Sequence, residues 1–355
     1  MRKLLVTGGA GFIGANFVHY WLNNYREDVV VVLDALTYAG NPQNLDACAN
    51  NDWFHFVQGD ILDQTLVEDL LRKYGLDTVV HFAAESHVDR SINSPDTFID
   101  TNIVGTHSLL KATRQVWLEE SAVPEHRFHH VSTDEVYGDL GPNDPAFTEK
   151  NQYAPSSPYS ASKAASDHLV QAYCRTFGLN VTTSNCSNNY GPFHFPEKLI
   201  PLIITNILHC EKLPIYGDGM QIRDWLFVED HARGIDKVIR RGDVGETYNI
   251  GGINEWANID IVKFICVDID RRFAENDELC KKYPDSPAAN GRHSSELITY
   301  VEDRRGHDRR YAIDPRKAHE KLQYEPVETF ETGISKTIEW YLDNPHWWEP
   351  LRKIS

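Results

Sequence analysis

Short apolar runs alternate with amphipathic stretches along the first half of the chain. Residues 2–7, 29–33, 53–57, 78–82 and 128–131 are short runs led by apolar, β-branched or aromatic side chains, and Val181 to Asn185 reads as a further β-prone run. Runs this short, without polar alternation, predict strands buried on both faces, the habit of a parallel sheet. Helical spacing between them predicts helices ending near Tyr25 and over 66–74, 96–117 and 159–177. Such alternation predicts an α/β fold, a Rossmann-type doubly wound parallel sheet. Beyond residue 190 the rhythm loosens. A helix is expected over about 196–209, strands near 213–216, 221–228, 247–250 and 297–301, and a helix near 329–343, with 275–295 as a polar, exposed excursion. This predicts a smaller α/β substrate-binding domain beside the first. The expected division gives residues 1–187 to a dinucleotide-binding domain, with returning segments at about 225–251 and 299–322. The smaller domain then takes 188–355, mainly 188–224, 252–298 and 323–355. A chain of 355 residues is long enough for both.

The first strand runs into Gly8, Gly11 and Gly14, which open a helix, and the second strand ends at Asp34. Glycines at this spacing permit a tight turn, a close approach of backbone to a pyrophosphate, and close helix–strand packing. The helix N-terminus offers unpaired N–H groups to the phosphates. Asp34 is placed to accept hydrogen bonds from ribose hydroxyls. It would repel the extra phosphate of NADP, and residues 35–40 contain no arginine, so NAD is expected. A glycine-rich turn alone also suits any tight βα connection; strand context and Asp34 favour the dinucleotide. Asp60 and Ile61 follow the third strand, where an adenine ring fits against the sheet edge. Ala83 and Ala84 follow the fourth and let a cofactor approach the backbone.

The fifth strand leads into Ser132-Thr133-Asp134-Glu135-Val136-Tyr137. Adjacent carboxylic acids there are most simply a solvated loop or a helix cap. Tyr159 and Lys163 open the next helix, and spacing i, i+4 puts them on one face. An ammonium beside a phenol favours the phenolate, so Lys163 is expected to lower the Tyr159 pKa from about 10 and make it a base. Tyr-x-x-x-Lys also arises on solvated helices; the preceding dinucleotide half gives it weight here.

The formal net charge of −17 argues against a general nucleic-acid or anionic-membrane surface, so an anionic ligand needs a local basic pocket. No stretch is long and apolar enough for a membrane span. The apolar start stops at Thr7, too short for a signal peptide core. Six cysteines form no C-x-x-C pair and fit reduced thiols, so a cytoplasmic location is expected. The sixteen histidines, His126, His129 and His130 included, complete no metal-ligand spacing, and no metal is expected.

The glycine pattern, Tyr159-x-x-x-Lys163 and Thr133 resemble the extended short-chain dehydrogenase/reductases. His81 to Ser91, Ser132 to Gly138, Tyr153 to Lys163, Asn185 to Pro192, Pro196 to Pro201 and Gln221 to Trp225 resemble, more closely, the dTDP-glucose 4,6-dehydratase family. The resemblance runs to about residue 343. It implies NAD-dependent loss of water from dTDP-glucose to give dTDP-4-keto-6-deoxyglucose. It implies Thr133, Asp134, Glu135, Tyr159 and Lys163 as catalytic residues: Tyr159 as base at the C4 hydroxyl, Glu135 as base at C5, protonated Asp134 as acid at the C6 oxygen, and Thr133 bonded near O4. For the cofactor it implies Gly8, Gly11, Phe12, Ile13, Gly14, Asp34, Leu36, Thr37, Asp60, Ile61, Phe82, Ala83, Ala84, Ser86 and Thr101, with Tyr159 and Lys163. For the sugar nucleotide it implies Lys198, Arg223 and Arg304 near the diphosphate, with Ser86, Thr133, Asn188, Glu197, Leu199, Pro214, Tyr216, Asn258 and His307. The chain departs from the family at Arg305, where proline is usual. A homodimer through a four-helix bundle is implied, from the helices near 95–117 and 159–177. The alternatives are a related sugar-nucleotide dehydratase, a 4-epimerase, which has no use for the Asp134–Glu135 pair, and a non-catalytic NAD-sensing scaffold. Two geometric demands follow for the dehydratase. Adjacent strand residues face opposite ways, so Asp134 and Glu135 must lie past the strand end, and Asp134 needs a raised pKa.

Overall fold

A computed structural model describes residues 1–121, 123, 125–303 and 306–352. Its strands are β1 (Lys3–Thr7), β2 (Val29–Asp34), β3 (Phe54–Gln58), β4 (Thr78–His81), β5 (Arg127–Thr133), β6 (Val181–Cys186), β7 (Asn188–Tyr190), β8 (Leu213–Tyr216), β9 (Ile222–Phe227), β10 (Thr247–Ile250), β11 (Glu255–Ala257), β12 (Ile298–Val301) and β13 (Arg310–Tyr311). Seven form one all-parallel sheet in the order β10-β6-β5-β4-β1-β2-β3. The chain starts at β1, builds outward through β2 to β3, then crosses to β4 on the other side. The crevice beyond β1 and β4 is therefore the topological switch point, where such sheets bind ligands.

Alternation along the strands feeds two separate cores. Leu5, Val31, Val79 and Phe128 point into one, while Leu4, Val6, Val30, Val32 and Val80 point into the other. Helices cover both faces, which is why these strands read as unbroken apolar runs. Burying each such side chain fully stabilises by about 1.5–3 kcal/mol. A third core gathers Ile200, Ile203, Ile204 and Ile207 of the helix Leu199–Leu208 with Ile261 and Ile265 of the helix Asn258–Glu275 and Ile334 and Ile338 of the helix Phe330–Asp343. Beside it, β9 pairs in parallel with β7 and β13 and antiparallel with β11, and β12 pairs in parallel with β8.

Two expectations change. The helix expected over 96–117 is continuous to Glu119 but carries two π-helical stretches, Ile99–Gly105 and Arg114–Glu119. In the first, the Asn102 carbonyl accepts from the hydroxyls of Thr106 and Ser166, at 2.6 and 2.5 Å, and side chains inserted into a helical ladder are a known cause of such widening. The segment 275–295 is exposed over most of its length, as expected, but it packs back onto the third core at a few positions instead of standing off it. It contains the helix Asp277–Lys282 and two 3-10 turns, and Tyr283, Ser286 and Ser294 are buried.

Candidate active site

Gly8 has φ +70°, and a Cβ there would stand 2.6 Å from the Ala83 backbone nitrogen. Only glycine lets the turn after β1 touch the turn after β4. A Cβ on Gly14 would meet the Gly8 carbonyl oxygen at 2.3 Å, so the helix Phe12–Asn24 starts hard against the turn. Its N-cap, Gly11, offers no side-chain hydrogen bond, which leaves the first N–H groups open to an anion. Asp34, 8% exposed, accepts from the N–H groups of Ala10 at 2.9 Å and Leu36 at 2.8 Å. Burial raises its pKa, and these two donors oppose the rise. The cradle fits a dinucleotide: glycine where a phosphate needs backbone, and a fixed carboxylate where a ribose needs an acceptor.

On the other side of the crevice, β5 ends at Thr133 and Asp134–Tyr137 form a 3-10 turn capped by the Thr133 hydroxyl, which accepts from the Glu135 N–H at 3.3 Å. Both carboxyls thus lie past the strand end and line the same cleft. Asp134 is 2% exposed. Burial, then the Glu135 and Asp224 charges, hold its pKa well above the ordinary value, and one of its oxygens has no hydrogen-bond partner. An acid in this state is kept protonated and able to donate.

Tyr159 and Lys163 stand at the start of the helix Pro158–Phe177, which a reciprocal Ser157–Ser160 capping box and Pro158 at the first helical position set in place. The Thr133 hydroxyl donates to Asp134 at 3.4 Å and stands beside the Tyr159 phenol, whose ionised form it favours. Burial works against the lowering of the phenol expected from Lys163. Burial, then Glu135, hold the Tyr159 pKa well above 10. The Lys163 ammonium instead donates to the Val131 carbonyl at 2.9 Å, and its own pKa is lowered by burial. Cys186 lies nearby with its thiol pushed up to about 12 by burial, which makes it inert.

The cleft has a volume of about 620 Å³. Except for Leu36 and Arg304, every residue singled out in the sequence for cofactor, catalysis or substrate lines it. Leu36 packs under the turn, at φ +54°, and its N–H holds Asp34 instead of facing the cleft. Arg304, like the departure at Arg305, lies outside the described residues. Lys198 and Arg223 supply positive charge to the substrate end. Arg223 is held by the carbonyls of Ile222 and Asp308 and lies 4.2 Å over the Tyr311 ring. Glu197 is bridged to Arg90 at 3.1 Å, and Arg90 stacks 3.8 Å over Tyr38. Sequence reasoning missed Tyr38, His87, Cys186 and His194 as lining residues. Position just past a strand end was the available signal for His87 and Cys186. Tyr38 and His194 carried none.

A glycine cradle at the switch point, with a Tyr–Lys helix laid along β5, defines the short-chain dehydrogenase/reductase class of nucleotide-dependent enzymes. A family model described as GDP-mannose 4,6 dehydratase matches residues 5–337. A dTDP-glucose 4,6-dehydratase of Neisseria meningitidis serogroup B is 56% identical over 352 residues, covering 98% of this chain and 96% of that protein. One from Escherichia coli is 52% identical over 357 residues, covering 98% and 95%. Among solved structures, dTDP-glucose 4,6-dehydratase from Bacillus anthracis in complex with NAD is 43% identical with a TM-score of 0.85, covering 99% of this chain and 100% of that one. The Streptomyces venezuelae enzyme with NAD bound is 43% identical with a TM-score of 0.87, covering 99% and 100%. The chain belongs to the dTDP-glucose 4,6-dehydratase family. No described helix is long and apolar enough to cross a membrane.

Proposed function

We propose that this chain is an NAD-dependent lyase that converts dTDP-glucose to dTDP-4-keto-6-deoxyglucose. The observation that carries the reading is the turn after β5: two carboxyls face one cleft beside Tyr159, and one of them is held protonated. NAD, when bound in the glycine cradle, takes a hydride from C4 of the sugar and returns it to C6. Gly8, Gly11 and Gly14 hold its diphosphate and Asp34 its ribose. Tyr159, working as the phenolate that the Lys163 ammonium favours, takes the C4 hydroxyl proton and becomes the phenol. A ketone at C4 acidifies the C5 proton, which Glu135 removes. Asp134 donates its proton to the C6 oxygen, which leaves as water, and Glu135 returns a proton to C5. Over the turnover Tyr159 gains one proton and Asp134 loses one. The Thr133 hydroxyl, bonded to Asp134 and beside the phenol, lies between them. Lys198 and Arg223 face the diphosphate, and Asn188, Glu197, Leu199, Pro214, Tyr216, Asn258 and His307 enclose the rest.

In this reading the larger domain (residues 1–187 with 225–251 and 299–322) carries NAD and the remainder carries the sugar nucleotide. A homodimer would form through the helices 96–119 and 158–177. Ile99 and Val104 on the former and Phe177 at the end of the latter, each about 40% exposed or more, support it. Six free cysteines support a reducing cytoplasm.

The test is a panel of dTDP-, UDP-, GDP- and CDP-sugars with purified protein and NAD, read by mass spectrometry for loss of water. The expected result is loss from dTDP-glucose, with a product that absorbs near-UV light in alkali. Interconversion of glucose and galactose nucleotides alone would overturn the reading.

A further inference from the structure

The face of the helix Pro158–Phe177 that meets β5 carries a third ionisable group, one turn beyond Lys163. Residues 159, 163 and 167 recur every four positions, so they stack along one stripe. Each meets the strand in turn. Tyr159 stands beside Thr133, Lys163 Nζ donates to the Val131 carbonyl at 2.9 Å, and Asp167 Oδ2 accepts from the Ser132 hydroxyl at 2.9 Å. The other Asp167 oxygen lies 3.1 Å from His130 Nε2, and the Tyr153 phenol lies beside the same carboxyl. Lys163 is 4% exposed, Asp167 3%, Ser132 3% and His130 0%.

An ammonium this buried needs a counter-charge, because a neutral carbonyl does not offset its lost hydration. Two groups act to keep Lys163 charged against burial, Asp167 first and Cys186 second. The Cys186 thiol is neutral at ordinary pH, which leaves Asp167 as the anion. The other groups facing Asp167 carry little charge. His130 is kept neutral by burial and by Lys163, and burial pushes the phenols of Tyr153 and Tyr137 up. His168, on the same helix, adds a weak opposing field. The Asp167 carboxyl is itself pushed up to about 6 by burial, with Lys163 and Ser132 drawing it down, so it is ionised over the neutral and alkaline range.

We propose that Asp167 is a positioning residue for the reaction: from behind the site it keeps Lys163 protonated and, through Ser132, holds the Thr133-Asp134-Glu135 turn in place. Asp167 does not reach the substrate. It acts through the ammonium one turn ahead of it and the strand end beside it. The mechanism described above assigns it no step, although the reading of the reaction it serves is the one proposed above.

The test compares the full-length wild type with D167N, D167S and D167E, each with NAD, by the pH profiles of kcat and KM for dTDP-glucose and by thermal melting. Removing the anion lets Lys163 discharge sooner on raising the pH. D167N and D167S should therefore move the alkaline limb of kcat down by about one to two pH units, as expected for loss of one charge one helical turn away in a protein interior. KM at neutral pH should change by less than about threefold, since no substrate contact is lost. D167E, which keeps the charge, should restore the limb. A limb unmoved in the charge-free variants, or moved equally in D167E, overturns the proposal. So does loss of cooperative melting in both D167N and D167S, which would assign Asp167 to the fold alone. Failure of the wild type to dehydrate dTDP-glucose counts against the reaction, and the pH dependence of melting then still reports whether Asp167 holds Lys163 charged.

Discussion

The Thr133 hydroxyl donates to the carboxyl of Asp134 at 3.4 Å and stands beside the phenol of Tyr159, whose ionised form it favours. It joins the group proposed to collect a proton from O4 to the group proposed to spend one at O6. A Thr133→Val variant keeps the shape and removes that hydroxyl. Its kcat should fall by about 10²-fold, within the range for a positioned proton-transfer group. Its affinity for NAD, measured by titration, should be unchanged. An unchanged kcat would show that the hydroxyl takes no part.

Glu135 and Asp134 separate in an isotope experiment. In Glu135→Gln, oxidation at C4 should persist, because Tyr159 and Lys163 are untouched. Exchange of the C5 hydrogen with solvent deuterium should collapse. In Asp134→Asn, C5 exchange should continue while water loss slows by about 10²–10⁴-fold. Undiminished exchange in Glu135→Gln would remove that residue as the base.

Asp134 also makes a prediction about stability. Unfolded, its carboxyl ionises near pH 4. Folded, burial and Glu135 raise its pKa well above that. Below the unfolded value both states hold the proton and the group is neutral in the balance. As pH rises through that value only the unfolded chain releases it, so the folded state loses stability until the folded pKa is passed. Asp134→Asn should therefore raise Tm at pH 8 by roughly 2–4 °C, with a smaller gain at pH 4, while activity falls. A lower Tm at pH 8 would contradict the burial argument.

Two glycines with similar backbone angles should behave differently. Gly8, at φ +70°, has the Ala83 backbone where a Cβ would go; Gly178, at φ +75°, has nothing within 4 Å. Gly178→Ala should cost only the left-handed strain, about 1–2 kcal/mol by thermal melting, and leave NAD binding intact. Gly8→Ala should cost a further 1–3 kcal/mol or so from overpacking, and weaken NAD binding. Equal effects of the two on NAD affinity would mean the cradle is not the cofactor site.

Arg223 is held by two carbonyls and the Tyr311 ring, a setting built for a planar guanidinium. Arg223→Lys keeps the charge and loses the fork. KM for dTDP-glucose should rise by about tenfold with kcat nearly preserved, the pattern for lost uniform binding. An unchanged KM would place the diphosphate elsewhere.

What the sequence determined by itself is what local pattern encodes. Most strands of the main sheet show as short apolar or β-prone runs, the central ones because both faces are covered, and Gly8, Gly14 and Asp34 declare themselves through spacing alone. Tyr159 and Lys163 share a face by helical periodicity, and the position of Asp134 and Glu135 past the strand end follows from the pleat. Tertiary structure decided which charge each of these groups feels. Burial opposes the lowering expected at Tyr159, and Lys163 donates to the Val131 carbonyl, because desolvation depends on everything packed around a group and not on its neighbours in sequence. It also decided the pairings of short strands far apart in the chain, β12 with β8 and β13 with β9, and the bridge from Arg90 to Glu197 across 107 positions. Two-residue and four-residue strands carry no periodicity to read, and contacts at that separation exist only once the fold has brought their ends together.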